Sequence, residues 1–262
     1  MMPSSLTKEH TMTNPRYRRP DHIGEAEWHA RVDLACVYRM IAHHGWDDVI
    51  YNHATLRVPG EDRQFLIKRH ELLYSEVTAA NLVKVSMDDD LDERSGVNRP
   101  GFTLHSGVFR SRSDVNAIIH LHTEHGMALA GLPGGLRMLS QASMRFHNRV
   151  GYHDYEGLTE SFDERERIAS KLGKNRALIL RNHGLTTWGA SMCEAFVLME
   201  QLITAAKVQL MMMATSEPLK EIPAELAEKT AKQFEAHDRG RGAADWPAFL
   251  RMMDRVDDGY RG

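Results

Sequence analysis

Two short apolar runs, each closed by histidine, constrain this 262-residue chain more than any other feature. Residues 116–122 read NAIIHLH, and residues 177–184 read ALILRNHG. Each run has strand length, is rich in aliphatic side chains and lacks polar alternation, as expected of a strand buried on both faces. Such strands sit inside a domain that covers the sheet with helices, so a single α/β domain is the simplest architecture.

The surrounding pattern agrees. Residues 25–46, EAEWHARVDLACVYRMIAHHGW, place Trp28, Val32, Ala35 and Tyr38 at helical spacing, with Gly45 where a helix would be capped. DVIYNHATLRV, QFLIKR and ANLVKVSM follow as short segments between turn formers and read as antiparallel strands. FTLHSGVFRSR returns to helical spacing before the first histidine-ended run, and EHGMALAGL reads as a helix after it. Residues 177–189 suggest a strand pair joined at Asn182–Gly184, and residues 191–215 a long helix, apolar almost all round. Two further helical patterns start at Ala224 and Asp245. Residues 1–22 have no apolar segment and read as a flexible tail, leaving 23–262 as one domain.

Composition narrows the partners. A formal charge of −3 offers no long-range attraction to nucleic acid or to an anionic membrane. No run reaches the roughly 18 apolar residues of a membrane span. Cys36 and Cys193 stand far apart, which argues for a reducing compartment, the cytoplasm by default. A small molecule or another protein is the expected partner.

The histidines carry the chemistry. In a strand, His120 and His122 point to the same face, with Cα atoms roughly 6.6 Å apart. A bare H-x-H pair is as often one core histidine and one solvent-facing one. Here both stand at the end of a buried strand, and the second run delivers His183 next to Gly184. Three imidazoles at one sheet edge suit a divalent ion with an open coordination position.

From about Trp28 to Met213 the chain resembles the class II aldolase/adducin family, through AIIHLHTEHG, YHDYEG and LILRNHGL, preceded in order by NHATLRVPG, FLI and EVTAANLVKV. The resemblance implies a three-layer α/β/α domain with a mainly antiparallel sheet, like fuculose-phosphate aldolase. It implies one divalent ion on His120, His122 and His183, zinc first, with manganese, iron or cobalt as alternatives. It also implies a homo-oligomer, a tetramer. Asn52 matches a substrate-contacting asparagine, with His53 beside it, and Gln141 is a further candidate for substrate binding.

The resemblance also shows a departure. In sugar-phosphate aldolases of this family a glutamate before the helix ahead of H-x-H serves as ligand and acid/base. Gly101 occupies that position here. The phosphate-binding serine pair and Thr-Gly turn correspond to Arg99–Pro100 and Arg69–His70. A phosphorylated sugar is therefore a poor expectation, and Arg99 is a candidate two-pronged carboxylate anchor, with Arg69 and Arg145 behind it. His125 and Tyr155 are the candidate proton-transfer groups. Glu124 reads better as a carboxylate at a helix N-terminus, and His153 and Asp154 as turn residues. These features point to a metal-dependent lyase, an aldolase or a decarboxylase, acting on a small carboxylate. A His-ligated iron oxygenase and a non-enzymatic adducin-like domain are the alternatives, and the three ligand histidines favour an enzyme.

Overall fold

The computed structural model describes residues 17–88, 91–157, 167–168 and 170–262. The first sixteen residues of the expected tail lie outside the described residues; Tyr17, within it, donates a hydrogen bond to Asp258. The chain runs α1 (Glu25–His43), β1 (His53–Val58), β2 (Glu61–Ile67), β3 (Val83–Ser86), α2 (Arg99–Ser111), β4 (Ala117–Leu121) and α3 (Glu124–Ala130). It continues with α4 (Gln141–Met144), β5 (Val150–His153), β6 (Ala177–Leu180), β7 (Gly184–Gly189), α5 (Met192–Met213) and α6 (Ala224–Val256).

One seven-stranded sheet, ordered β3-β2-β1-β4-β7-β6-β5, forms the middle layer. All its pairings are antiparallel except β5 with β6. Its two faces can be read from alternate residues. Ile119, Leu66, Ala177 and Ile179 pack into one core with α1 and α5. Ile118, Phe65, Ile67, Leu178 and Leu180 pack into the other with Phe102, Val108 and Phe109 of α2. Because both faces are covered, β4 and β6 carry no polar alternation, and β4 is buried along its whole length. Gly45, at φ +65°, follows α1 in the left-handed conformation that an Ala would resist.

Two expectations change. The helical patterns from Ala224 and Asp245 are one 33-residue helix that runs through Pro247. Pro247 removes one backbone hydrogen bond, but Trp246, Phe249, Leu250 and Met253 pack at helical spacing against the main core and hold the last turns in place. Secondly, α5 is long and apolar enough to cross a membrane by length and composition. Its Phe196, Met199, Leu202 and Ala206 are instead buried under the sheet, while Met211, Met212 and Met213 at its C-terminal end are exposed.

Candidate metal centre

The centre forms where three antiparallel strands end. His120 lies on β4, His122 just beyond that strand, and His183 in the turn from β6 to β7. Asn182 adopts φ +55° to make this turn. A Cβ at residue 184 would lie 2.6 Å from the Leu121 carbonyl oxygen and 2.9 Å from the His122 ring, so only glycine lets the turn close on β4. The asparagine and glycine around His183 are thus requirements of the backbone that brings it to the other two.

The three rings are spaced evenly, with centroids 4.7 to 4.8 Å apart. One nitrogen from each falls in a group whose members lie within 4.8 Å of one another. His120 Nδ1 lies 3.0 Å from Thr186 Oγ1 and 3.1 Å from the Leu185 carbonyl oxygen. The carbonyl can only accept, so Nδ1 carries the proton and Nε2 a lone pair. His122 Nδ1 lies 3.2 Å from Asp48 Oδ2, which fixes the same tautomer. The two Nε2 atoms then face each other at 2.8 Å.

Two lone pairs at that distance repel unless a cation stands between them. A proton is disfavoured there: burial, followed by the neighbouring imidazoles, holds His120 well below the usual histidine range. His183 is pushed down to about 4 by burial and then by His122. Burial lowers His122 too, against the opposing pull of Asp48. All three are therefore in the neutral, ligating form at neutral pH. Two nitrogens bound at about 2.1 Å to one ion stand about 3.0–3.4 Å apart, so a small adjustment admits a divalent cation. The donor set fits that group.

Asp48 belongs to a segment held in uncommon backbone. Val49 and Asn52 both have positive φ, +53° and +66°, a conformation that is costly for a β-branched residue. Lys68 ties this segment down. It is buried, and its ammonium donates to the carbonyl oxygens of Ile50 at 2.7 Å and Leu72 at 3.1 Å. Burial lowers its pKa to about 8.

The other candidates divide. Asn52 is buried, and among the described residues neither atom of its amide has a partner. His53 stacks on His120. Tyr155 is exposed, with its ring centroid 6.3 Å from that of His183. His125 is half-buried one residue into α3, and among the described residues no ring contact joins it to the three histidines. Glu124 is exposed in the first turn of α3, while Thr123 caps the helix. Gln141 and Arg99 are exposed at the first positions of α4 and α2. Arg69 is paired with Glu71 at 2.6 Å. Arg145 is no anion anchor: its guanidinium binds Asp238 at 2.8 Å and covers the Phe234 ring, tying α6 to the domain. Asp48, Lys68, Thr55 and His105 were not singled out by the sequence; His105, a lone polar ring on the buried side of α2, was the legible hint. A cavity of about 660 Å³ between α5 and α6 shares no residue with this site.

The profile described as Class II Aldolase and Adducin N-terminal domain matches residues 32–210. The chain belongs to the class II aldolase/adducin family. Among its relatives is a protein of Caulobacter vibrioides with a provisional aldolase class 2 name, 38% identical over 241 residues, covering 91% of this chain and 94% of that one. Rat alpha-adducin is 37% identical over 252 residues, which take in 88% of this chain but only 33% of that protein. A Pseudomonas syringae aldolase II superfamily structure superimposes with a TM-score of 0.86 at 39% identity, over 92% of this chain and 98% of that one. L-fuculose 1-phosphate aldolase from Glaciozyma antarctica gives 0.78 at 25% identity, over 94% and 97%. The mainly antiparallel sheet between helical layers is thus the fold of class II aldolases.

Proposed function

We propose that this family member is a divalent-metal-dependent lyase. It makes or breaks a carbon–carbon bond, by aldol cleavage or decarboxylation, in a small non-phosphorylated hydroxy or oxo acid or aromatic carboxylate. The observation that carries this reading is the convergence of three neutral imidazoles, two with Nδ1 committed to acceptors and Nε2 turned inward. A divalent ion held there by His120, His122 and His183, zinc first, would supply Lewis acidity for negative charge developing on a substrate oxygen.

The protein's own groups do the rest. His120, His122 and His183 hold the ion, and Asp48 orients His122. A ligand set without a carboxylate leaves the full dipositive charge in place and favours an anionic substrate. Asn52 offers a donor and an acceptor that nothing else in the described residues occupies. Arg99 is free of an ion pair among the described residues and stands two positions before Gly101 at the start of α2, where it can meet a carboxylate. Tyr155, whose ring centroid lies 6.3 Å from that of His183, and His125, in the first turn of α3, are the groups taken to deliver or accept a proton. The exposed methionines at the end of α5, with Leu226 at the start of α6, are the surface on which a homotetramer would form.

The test is a screen of metal-reconstituted protein against hydroxylated aromatic acids and oxo acids, reading carbon dioxide and aldehyde. Release of either supports the lyase. Oxygen uptake with iron bound would show an oxygenase, and metal binding without turnover an adducin-like interaction domain.

A further inference from the structure

His53 opens β1 directly opposite His120 on β4, so the two side chains point to the same face of the sheet. Their ring centroids are 5.0 Å apart and the planes 30° from parallel. The three nitrogens that converge on the metal position do not include one from His53. The ring lies instead against the first turn of α2: a Cβ at residue 101 would meet its Cδ2 at 2.5 Å and its Nε2 at 2.9 Å. His53 thus fills, from β1, the space that a residue-101 side chain would take from α2.

A chain of hydrogen bonds sets its proton. Thr55 is fully buried, and its hydroxyl has one proton to place. Among the described residues the acceptor recorded for it is His105 Nδ1, at 2.6 Å. Thr55 therefore donates, and the proton of a neutral His105 ring sits on Nε2. That Nε2 lies 2.8 Å from His53 Nδ1, so His105 donates and His53 Nδ1 accepts. The remaining proton of His53 is on its own Nε2. Among the described residues this N–H makes no hydrogen bond, although His53 is only 6% exposed.

We infer that the His53 Nε2–H donates a hydrogen bond to an oxygen of the metal-bound substrate, with His105 and Thr55 as its positioning residues. A neutral imidazole in this role stabilises negative charge on that oxygen without transferring its proton in the ground state. It serves the centre from the side left open by Gly101. The inference rests on the metal-centre reading above.

The experiment loads wild type, His53→Ala, His53→Gln and Thr55→Val with Co²⁺ and titrates each with oxalate, a small dicarboxylate with acceptor oxygens only. Co²⁺ affinity should stay within about twofold throughout. Oxalate should bind about 10- to 100-fold more weakly to His53→Ala, the loss expected of one hydrogen bond to a charged group. His53→Gln, which restores an N–H, should recover part of it. Thr55→Val, which keeps the side chain's bulk, should weaken oxalate several-fold by letting His105 and His53 switch tautomer and turn a lone pair on the anion. ¹⁵N spectra should show the His53 proton on Nε2 in the wild type. Unchanged oxalate affinity in His53→Ala overturns the inference, as does a cobalt-loaded wild type that ignores oxalate. Cobalt affinity lost with His53 would make it a ligand and also overturn it. Wild type that fails to bind Co²⁺ refutes the metal centre itself.

Discussion

Replacing Asp48 with Ala removes the acceptor that fixes the His122 tautomer. The bond runs from His122 Nδ1 to Asp48 Oδ2 at 3.2 Å, and the Asp48 side chain is 45% exposed while that of His122 is 22% exposed. Losing a partner of this kind costs 10- to 100-fold in metal affinity in buried settings. The length of the bond and the exposure of the carboxylate put this case at the low end, about tenfold or about 1.4 kcal/mol. Asp48→Asn keeps an acceptor and loses only the charge, so about threefold is expected. Competition for Zn²⁺ against a chromophoric chelator measures both. Wild-type affinity in Asp48→Ala would refute the argument that this segment orients the ligand. A loss beyond about a thousandfold would refute it too, because Asp48 would then be a ligand itself.

Asp33 accepts a hydrogen bond from Trp246 Nε1 at 2.9 Å, and burial raises its pKa to about 6. The folded state binds this proton more tightly than the unfolded state, so the stabilisation is full below about pH 4 and is lost as pH rises through 6. Asp33→Asn should therefore be more stable than wild type in denaturant melts at pH 8, by at most about 3 kcal/mol, and equal to it near pH 4; an equal difference at both would contradict this. Arg99→Ala should raise KM far more than it lowers kcat on the true substrate, by about 1.5–3 kcal/mol in kcat/KM if the anchored carboxylate is desolvated; an unchanged ratio would move the search to Arg69. Light scattering at micromolar concentration should give four times the chain mass, and a monomer would contradict the proposed tetramer.

The strands that build the site were legible because burial on both faces leaves a run such as ALIL with no polar residue to confuse its period. The H-x-H spacing likewise told that His120 and His122 share a face, since a strand's side chains alternate. Proximity across strands was not legible. The pairing of His53 with His120 depends on the register of β1 against β4, and the link from His53 to His105 on how α2 lies over that face. Asp48 reads as an ordinary loop acid until the uncommon backbone of Val49 and Asn52 turns it towards His122. Arg145 shows the converse: its charge looked available in the sequence, whereas Asp238, ninety-three residues away, neutralises it. That the patterns from Ala224 and Asp245 are one helix was not legible for a similar reason, because the contacts that carry α6 across Pro247 are tertiary.

The central claim is that His120, His122 and His183 bind one divalent ion, and metal content measures it most directly. Wild type and His122→Ala, stripped with chelator, re-equilibrated with Zn²⁺ and desalted, should retain about one ion and less than a tenth of an ion per chain, with matching circular dichroism spectra. Full occupancy in folded His122→Ala, or none in the wild type, would contradict the account.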